Sequence, residues 1–110
     1  MRVIIAGSRS GVPNRLLAEA IEKSGFEITE LVCGMAPGVD SQAYRWAFTA
    51  HLPITVFEAQ WKKHGRAAGP IRNREMAEYA EALIALPGGR GTASMIAEAQ
   101  KRGLKVCVYE

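Results

Sequence analysis

The 110-residue sequence contains only two cysteines, Cys33 and Cys107, and no apolar run near the roughly 20 residues that cross a bilayer. These absences exclude a disulfide-stapled scaffold and predict no membrane-spanning helix. The apolar stretch at the N-terminus is too short for a signal peptide, so we expect a cytoplasmic protein with reduced cysteines and no membrane partner. Two cysteines and two histidines at these spacings do not make a zinc site, and we expect no metal and no cofactor.

The net positive charge of the chain comes from one segment. The formal net charge is +3, from 14 basic and 11 acidic residues. Between Trp61 and Arg74 there is no carboxylate and there are five basic residues, namely Lys62, Lys63, Arg66, Arg72 and Arg74. The rest of the chain therefore sums to −2, so the basic character is local. We expect this segment to reach a phosphate group at the strand ends, with contact to a nucleic acid or a merely solvated face as the alternatives.

Short apolar runs alternate with segments of helical periodicity. Predicted strands cover residues 3–6, 28–33, 53–57, 82–86 and 104–109. Predicted helices run from near Pro13 to Gly25, from Asp40 to Ala50 and over 92–102. A further helix, with Met76, Tyr79 and Ala80 on its buried side, follows a polar connection over 58–69. Five strands separated by four helices predict one α/β domain over residues 1–110, with a Rossmann-like, doubly wound parallel sheet.

Glycine-rich segments follow three of these strands, at residues 7–11, 34–40 and 87–92. Ligands of such sheets bind beyond the carboxyl ends of the strands, where glycines let the backbone approach an anion and helix N-termini offer free N–H groups. The pattern predicts a site for a phosphate-containing ligand. Its candidate binding residues are Gly7, Ser8, Arg9, Gly34, Gly38, Asp40, Gly88, Gly89, Arg90, Gly91 and Thr92.

Three side chains near these segments have more than one interpretation. Thr92 is expected to cap the fourth helix and to bond a phosphate oxygen. Asp40 either caps the second helix or holds a ribose hydroxyl. Trp61 lies in a polar segment beside lysines, where it would stack on a base or cover an oligomer contact.

Two common nucleotide-binding signatures are missing. The first glycine turn is not G-x-G-x-x-G, and Cys33 rather than an acidic residue ends the second strand. The chain also has no Lys-Ser/Thr pair of the Walker A type. These absences exclude the ordinary dinucleotide fingerprint and P-loop ATP hydrolysis.

Taken together, the motifs resemble the SLOG superfamily, which groups DNA-processing protein A (DprA) with the Lonely Guy phosphoribohydrolases, and most of all its small YspA-like branch. The matching motifs span nearly the whole chain: Gly7-Ser8-Arg9, Gly34…Gly38-Val39-Asp40, Trp61…His64-Gly65-Arg66-Ala67-Ala68-Gly69-Pro70-Ile71-Arg72-Asn73 and Pro87-Gly88-Gly89-Arg90-Gly91-Thr92. The resemblance implies a nucleotide-derived ligand such as ADP-ribose or an NAD fragment, and adds Trp61, Arg72 and Asn73 to the binding residues. It also implies a homo-oligomer, a dimer or larger, for which Tyr44, Trp46 and Phe48 are candidate contact residues.

The sequence departs from the family at the catalytic positions. The phosphoribohydrolases carry Arg-Lys-x-x-Met before Pro-Gly-Gly-x-Gly-Thr-x-Glu-Glu, and an Arg and a Glu of these motifs serve catalysis. Their Arg corresponds to Arg72, their Lys to Asn73, and their two Glu to Ser94 and Met95. A carboxylate stabilises the oxocarbenium-like transition state of glycosidic cleavage, which Met95 cannot do. Glu75, three residues after Arg72, is the substitute candidate for catalysis, or else a solvated partner of Arg72.

These residues support three hypotheses of different kinds. The first is a phage or bacterial binding module that senses or sequesters a nucleotide-like signal, because the anion-binding motifs are kept while the usual catalytic Glu is lost. The second is a phosphoribohydrolase or N-glycosidase acting on nucleoside monophosphates, with Arg72 and Glu75 in catalytic roles. The third is a single-stranded DNA-binding module, which we rank last because five clustered charges in a −2 background are a weak basis for nucleic-acid binding.

Overall fold

Five parallel strands form the centre of the computed structural model, which describes residues 1–110. The strands are β1 (Arg2–Ala6), β2 (Glu30–Cys33), β3 (Ile54–Val56), β4 (Ala82–Ala85) and β5 (Lys105–Val108). The helices are α1 (Asn14–Ser24), α2 (Val39–Thr49), α3 (Trp61–His64), α4 (Ala68–Tyr79) and α5 (Arg90–Lys101), with a 3-10 turn at Gly65–Ala67. The predicted α/β fold with a parallel, Rossmann-like sheet is confirmed.

The strand order β3-β2-β1-β4-β5 places the first strand in the middle of the sheet. Ile4 of β1 pairs with Val32 on one side and with Leu83 on the other. Strands β2 and β3 are added on one side of β1, and strands β4 and β5 are added on its other side, so the strand order reverses between β1 and β4. At the carboxyl ends of these two strands, Ala6 pairs with Ala85. In such sheets the crevice outside this reversal point is where ligands bind.

Alternate residues of β1 divide the core between the two faces of the sheet. Val3 and Ile5 belong to an apolar cluster with residues of α1 and α2, whereas Ile4 and Ala6 belong to a second cluster with α4 and α5. Both faces are covered, which explains why the strand sequences are continuous apolar runs. The two layers of helices hold the strand ends, and the loops that follow them, in fixed positions.

Three sequence-based expectations about helix starts were wrong. The connection over 58–69 is not an irregular loop, because it contains α3 and the 3-10 turn, and α4 already begins at Ala68. The buried Gly69 lies inside α4, where a Cβ would sit 3.4 Å from the Trp61 ring. Thr92 and Asp40 cap nothing, because α5 and α2 begin earlier, after Gly89 and Gly38 respectively, without any side-chain cap.

The longest helices have 12 residues, and none is both long and apolar enough to cross a membrane. Both cysteines are free thiols. Burial at the end of β2 raises the pKa of the Cys33 thiol to about 11.

A network of polar side chains lies at the other end of the strands, away from the glycine loops. The Tyr79 hydroxyl donates to Glu30 Oε2 at 2.5 Å, and the Thr55 hydroxyl donates to the same oxygen at 2.7 Å. These bonds, Tyr79 first, hold the pKa of the Glu30 carboxyl below its ordinary value, with a smaller contribution from the charge of Arg2. The network links α4 to β2 and β3.

Tyr79→Phe is therefore expected to destabilise the protein in a pH-dependent way. Because the pKa of Glu30 is lower in the folded than in the unfolded chain, the stability it contributes is present above pH 4.5 and is lost as the pH falls through the folded-state pKa. The difference in unfolding free energy between the two proteins should be constant above that pH and should shrink below it. Urea denaturation between pH 3 and 7 measures it. Tyr44→Phe is the control, since the Tyr44 hydroxyl makes no hydrogen bond within the chain, and an equal effect in both variants would contradict the explanation.

Candidate functional site

A cleft of about 510 Å³ opens beyond the carboxyl ends of β1 and β4, at the reversal point of the sheet. We call it the main cleft. Its lining comes from the loop after β1, the loop after β2, α4 and the start of α5. The lining residues are Ala6, Gly7, Ser8, Arg9, Ser10, Ala36, Asp40, Arg72, Asn73, Met76, Gly89, Arg90, Gly91, Thr92 and Met95.

Backbone hydrogen bonds fix the loop after β1 from both sides. The Ser8 N–H donates to the Pro87 carbonyl at 2.9 Å, and the Ser8 carbonyl accepts from the Val39 N–H at 3.0 Å. Two glycines make this close approach possible. A Cβ on Gly88 would lie 2.9 Å from the Ser8 nitrogen, and one on Gly38 would lie 2.2 Å from the Ser8 oxygen. Three loops are thereby joined into one rigid rim.

The N-terminus of α5 presents unpaired donors at the main cleft. The first helical hydrogen bond runs from the Ala93 N–H to the Gly89 carbonyl at 3.0 Å, so the N–H groups of Arg90, Gly91 and Thr92 have no acceptor within the chain. The Thr92 side chain is buried in the cleft wall, and its hydroxyl also has no partner. A helix N-terminus with free N–H groups and a positive dipole end favours an anion.

Arg72 joins the elements of the site. Its Nη1 donates to the Gly34 carbonyl at 2.8 Å, and its Nε donates to Asn73 Oδ1 at 3.1 Å. The Asn73 amide in turn donates to Ser94 Oγ at 3.2 Å and to the Gly91 carbonyl at 3.4 Å. Helix α4 is thus tied to the loop after β2 and to the start of α5, and the guanidinium is held at the edge of the cleft.

Asp40 brings one carboxyl group into the main cleft. Its Oδ2 accepts the Ala36 N–H at 3.1 Å, and the side chain is buried. Burial raises the pKa of this carboxyl above its ordinary value, and the Ala36 hydrogen bond and the charge of Arg72 oppose the shift only in part. The Arg72 guanidinium and this carboxyl both lie close to Gly34: a Cβ there would be 2.9 Å from Arg72 Nη1 and 3.0 Å from Asp40 Oδ2.

A second cavity of about 370 Å³ adjoins the main cleft, and we call it the side chamber. It shares Arg9, Ala36 and Arg72 with the main cleft. Its other lining residues are Gly34, Met35, Pro37, Glu58, Ala59 and Trp61. The structure therefore brings Trp61 next to the charged cleft and not to a distant surface.

Twelve of the residues named from the sequence line one cavity or the other: Gly7, Ser8, Arg9, Asp40, Arg72, Asn73, Gly89, Arg90, Gly91 and Thr92 in the main cleft, and Gly34 and Trp61 in the side chamber. Gly38 and Gly88 line neither cavity and pack the loops behind the site. Glu75 lies apart, exposed in a groove with Glu58, Lys63, Arg74 and Glu78. The expected pairing of Glu75 with Arg72 in the cleft does not occur.

The basic segment does not reach the strand ends as a whole. Of its five basic residues, only Arg72 lines the main cleft, whereas Lys63 and Arg74 line the groove with Glu75. Sequence reasoning also missed several lining residues. Met95 is one of these, although its correspondence to a catalytic Glu of the family was a usable signal. Glu58 is another, and nothing in its sequence context singles it out.

Comparisons with known proteins agree with the fold and the motifs. Residues 1–64 match the model of a family described as the YspA, cpYpsA-related SLOG family. The Gene 61 protein of Mycobacterium phage D29 is 35% identical over 117 aligned positions, which cover 96% of this chain and 93% of that protein.

Among solved structures, DNA processing protein A (DprA) from Streptococcus pneumoniae superimposes with a TM-score of 0.76 at 16% identity, covering 97% of this chain. The chain spans about half the length of that protein, 49%. This likeness shows the shared fold. The matched family model and the relative from the phage together show that the chain belongs to the YspA, cpYpsA-related SLOG family.

Proposed function

We propose that the protein binds a nucleotide or a nucleotide-derived small molecule, such as a nucleoside phosphate, ADP-ribose or an NAD-like compound, and acts as a sensing or sequestering module. The observation that carries the proposal is the start of α5, where three backbone N–H groups and the Thr92 hydroxyl have no partner within the chain and border the main cleft. A phosphate group has the charge and the acceptor oxygens to satisfy all four donors.

The charges around the cleft support the same ligand. Three guanidinium groups, those of Arg9, Arg72 and Arg90, border it against the single carboxyl of Asp40. Guanidinium groups bind phosphate through paired, charge-assisted hydrogen bonds.

A polynucleotide ligand has weaker support. Lys63 and Arg74 face a groove that also holds Glu58, Glu75 and Glu78, so these positive charges are offset by carboxylates. The likeness to DNA processing protein A is one of fold. Because of it, the binding experiment includes an oligonucleotide for comparison.

Cleavage of the ligand is a second candidate function, and Asp40 favours it. The carboxyl lies in the main cleft beside Arg72, and its raised pKa suits a group that gives a proton to a leaving base. Glu75, the acid named from the sequence, lies outside the cleft. Base released from a bound nucleoside monophosphate would identify an N-glycosidase. In that reaction the bond between C1′ of the ribose and the base nitrogen breaks, Asp40 protonates the base, and water gives its hydroxyl to C1′ and its proton back to Asp40.

Isothermal titration with GMP, AMP, ADP-ribose, ribose 5-phosphate, the unphosphorylated nucleosides and a single-stranded DNA oligonucleotide tests the proposal. Phosphorylated compounds are expected to bind at least tenfold more tightly than the nucleosides. Thr92→Val should weaken phosphate-bearing ligands by about tenfold, the usual cost of a hydrogen bond to a charged group. Thr49→Val, a matched change on the exposed end of α2, should leave affinity unchanged. Equal binding of nucleosides and nucleotides would contradict the proposal, and binding of an oligonucleotide alone would favour the polynucleotide reading.

The same samples address the remaining alternatives. Chromatography of each mixture after incubation separates capture from cleavage, because only cleavage yields free base. The expected homo-oligomer stays a proposal, supported by Phe48 on α2, which is 70% exposed. Light scattering during size-exclusion chromatography gives the oligomeric state.

A further inference from the structure

The side chamber has an apolar wall that a phosphate site does not need. Trp61 is 52% exposed and Met35 is 40% exposed, although both are large hydrophobic residues beside three charged groups. With Glu58 and Ala59, the same two residues also line the depression on the outer side of the chamber. Exposed apolar surface around a cavity marks a ligand or partner contact.

Local structure holds Trp61 in place. A Cβ on Gly69 would lie 3.4 Å from Cη2 of the indole, so one edge of the ring rests on a glycine of α4 while the other side stays open. Gly69 itself is buried. The ring therefore packs on α4 along one edge and leaves about half of its surface open to a ligand.

Met35 completes the chamber from the loop after β2. It has φ +55°, a left-handed conformation that is rare for a residue other than glycine, asparagine or aspartate. Its N–H donates to Cys33 Sγ at 3.4 Å, and the Cys33 thiol donates to Met35 Sδ at 3.6 Å. Backbone strain of this kind is kept where the surrounding structure fixes a residue for a role.

Glu58 is the one acidic residue that lines the side chamber, and it makes no hydrogen bond or ion pair within the chain. A carboxylate only accepts hydrogen bonds, so it selects a ligand by the donors that the ligand presents. Guanine presents two adjacent donors, N1–H and the 2-amino group. Adenine and cytosine place a ring acceptor beside their amino group, and uracil flanks its N–H with two carbonyls, so each of them repels a carboxylate as well as attracting it.

We infer that the side chamber is a base-selecting subsite, in which Trp61 stacks on a purine and Glu58 selects guanine over adenine. The inference rests on the proposed function, because the ligand's phosphate is placed in the main cleft. The ribose then passes Arg72, Ala36 and Arg9, the residues that the two cavities share. The two cavities lie within the roughly 300–1,000 Å³ typical of small-molecule sites.

Titration calorimetry with GMP, IMP, AMP and ribose 5-phosphate tests the inference. GMP should bind most tightly, IMP should be weaker because it lacks the 2-amino group, and AMP should be weakest among the nucleotides. Glu58→Gln should remove the preference for GMP over AMP and leave ribose 5-phosphate unaffected. Trp61→Ala should weaken all three nucleotides by about tenfold or more, the effect typical of a lost base–aromatic stack, and again leave ribose 5-phosphate unaffected.

Three variants keep the result interpretable. Trp61→Phe retains an aromatic face and should recover most of the nucleotide affinity that Trp61→Ala loses. Phe48→Ala removes an exposed aromatic that lines neither cavity, and Glu22→Gln removes an exposed carboxylate on α1; both should bind like the original protein.

Three results would each contradict a different part of the proposal. AMP binding as tightly as GMP, with no effect of Glu58→Gln, would overturn the base selection while the phosphate site stands. Loss of ribose 5-phosphate binding in Trp61→Ala, equal to the loss for nucleotides, would overturn the stacking role. Failure of ribose 5-phosphate and every nucleotide to bind the original protein would overturn the proposed function itself.

Discussion

Gly38→Ala is expected to lower the free energy of unfolding by at least about 2 kcal/mol and to abolish ligand binding in the main cleft. Gly38 has φ +83° and ψ −124°, a backbone conformation that residues with a Cβ rarely adopt. Its Cβ would also lie 2.2 Å from the Ser8 oxygen and 2.6 Å from the Arg9 oxygen. Both groups are backbone atoms of the loop after β1, so the loop itself would have to move.

Urea denaturation measures this effect, and Gly91→Ala is its control. Gly91 lies in the first turn of α5, and no atom lies within 4 Å of the place its Cβ would take. That variant should be as stable as the original protein, or more stable by up to about 1 kcal/mol, since alanine favours a helix over glycine. Equal urea midpoints for Gly38→Ala and the original protein would show that the loops after β1 and β2 can separate without cost.

Arg72→Met is expected to reduce the affinity for nucleoside phosphates by about 10- to 100-fold, which corresponds to one charge-assisted contact of roughly 1.5–3 kcal/mol. The guanidinium is fixed by the Gly34 carbonyl and Asn73, so it is held in position before a ligand arrives. Its removal also takes away a positive charge that lowers the pKa of Asp40. That carboxyl should then hold its proton to a higher pH.

The matched control is Arg74→Met, the same change two residues later on α4. Arg74 is exposed and lines the groove with Glu75 and not the main cleft. Calorimetry with GMP should give an affinity within about twofold of the original protein, because a solvent-exposed charge outside the site is screened by salt. A loss as large as that of Arg72→Met would show that overall charge, and not the cleft, attracts the ligand.

The sequence was sufficient to predict the sheet and the edge that carries the site. Continuous apolar runs such as residues 82–85 indicate strands covered on both faces, and parallel strands bring the loops that follow them to one edge. The glycine segments then had to meet there. The prediction could not separate glycines that border the cleft from those that pack loops together, because Gly38 and Gly89 look alike in sequence and differ in backbone conformation and in the atoms around them.

The direction of side chains on α4 was harder to predict. A three-residue spacing puts Arg72 and Glu75 near each other on a helix, yet Arg72 lines the cleft and Glu75 lies in another groove. Asn73, Met76 and Ala77 are among the buried residues of α4. Which side of that buried face borders the cleft depends on how α4 packs against α5. Only the tertiary structure contains this information.

The sequence places the start of α4 after Gly69, slightly too late, because this stretch contains Gly69-Pro70, a pair that usually ends or prevents a helix. Proline is tolerated in the first turn, where its missing N–H would have no partner, and α4 begins at Ala68. Gly69 packs against Trp61, and even an added Cβ would lie at an ordinary contact distance of 3.4 Å from the ring. The first turn of α4 therefore tolerates a residue pair that is unfavourable in the interior of a helix.

The central position of β1 has a consequence for the order in which the site forms. Val3 pairs with Ala82, so the strand made first during synthesis gains its second neighbour only after most of the intervening residues exist. The loop after β1 is likewise held by Pro87, from the far side of that gap in sequence. A nascent or truncated chain lacking β4 has no main cleft. A ligand that occupies the main cleft would therefore bind only chains that already contain β4 and the start of α5, and its binding energy would stabilise the folded state against unfolding.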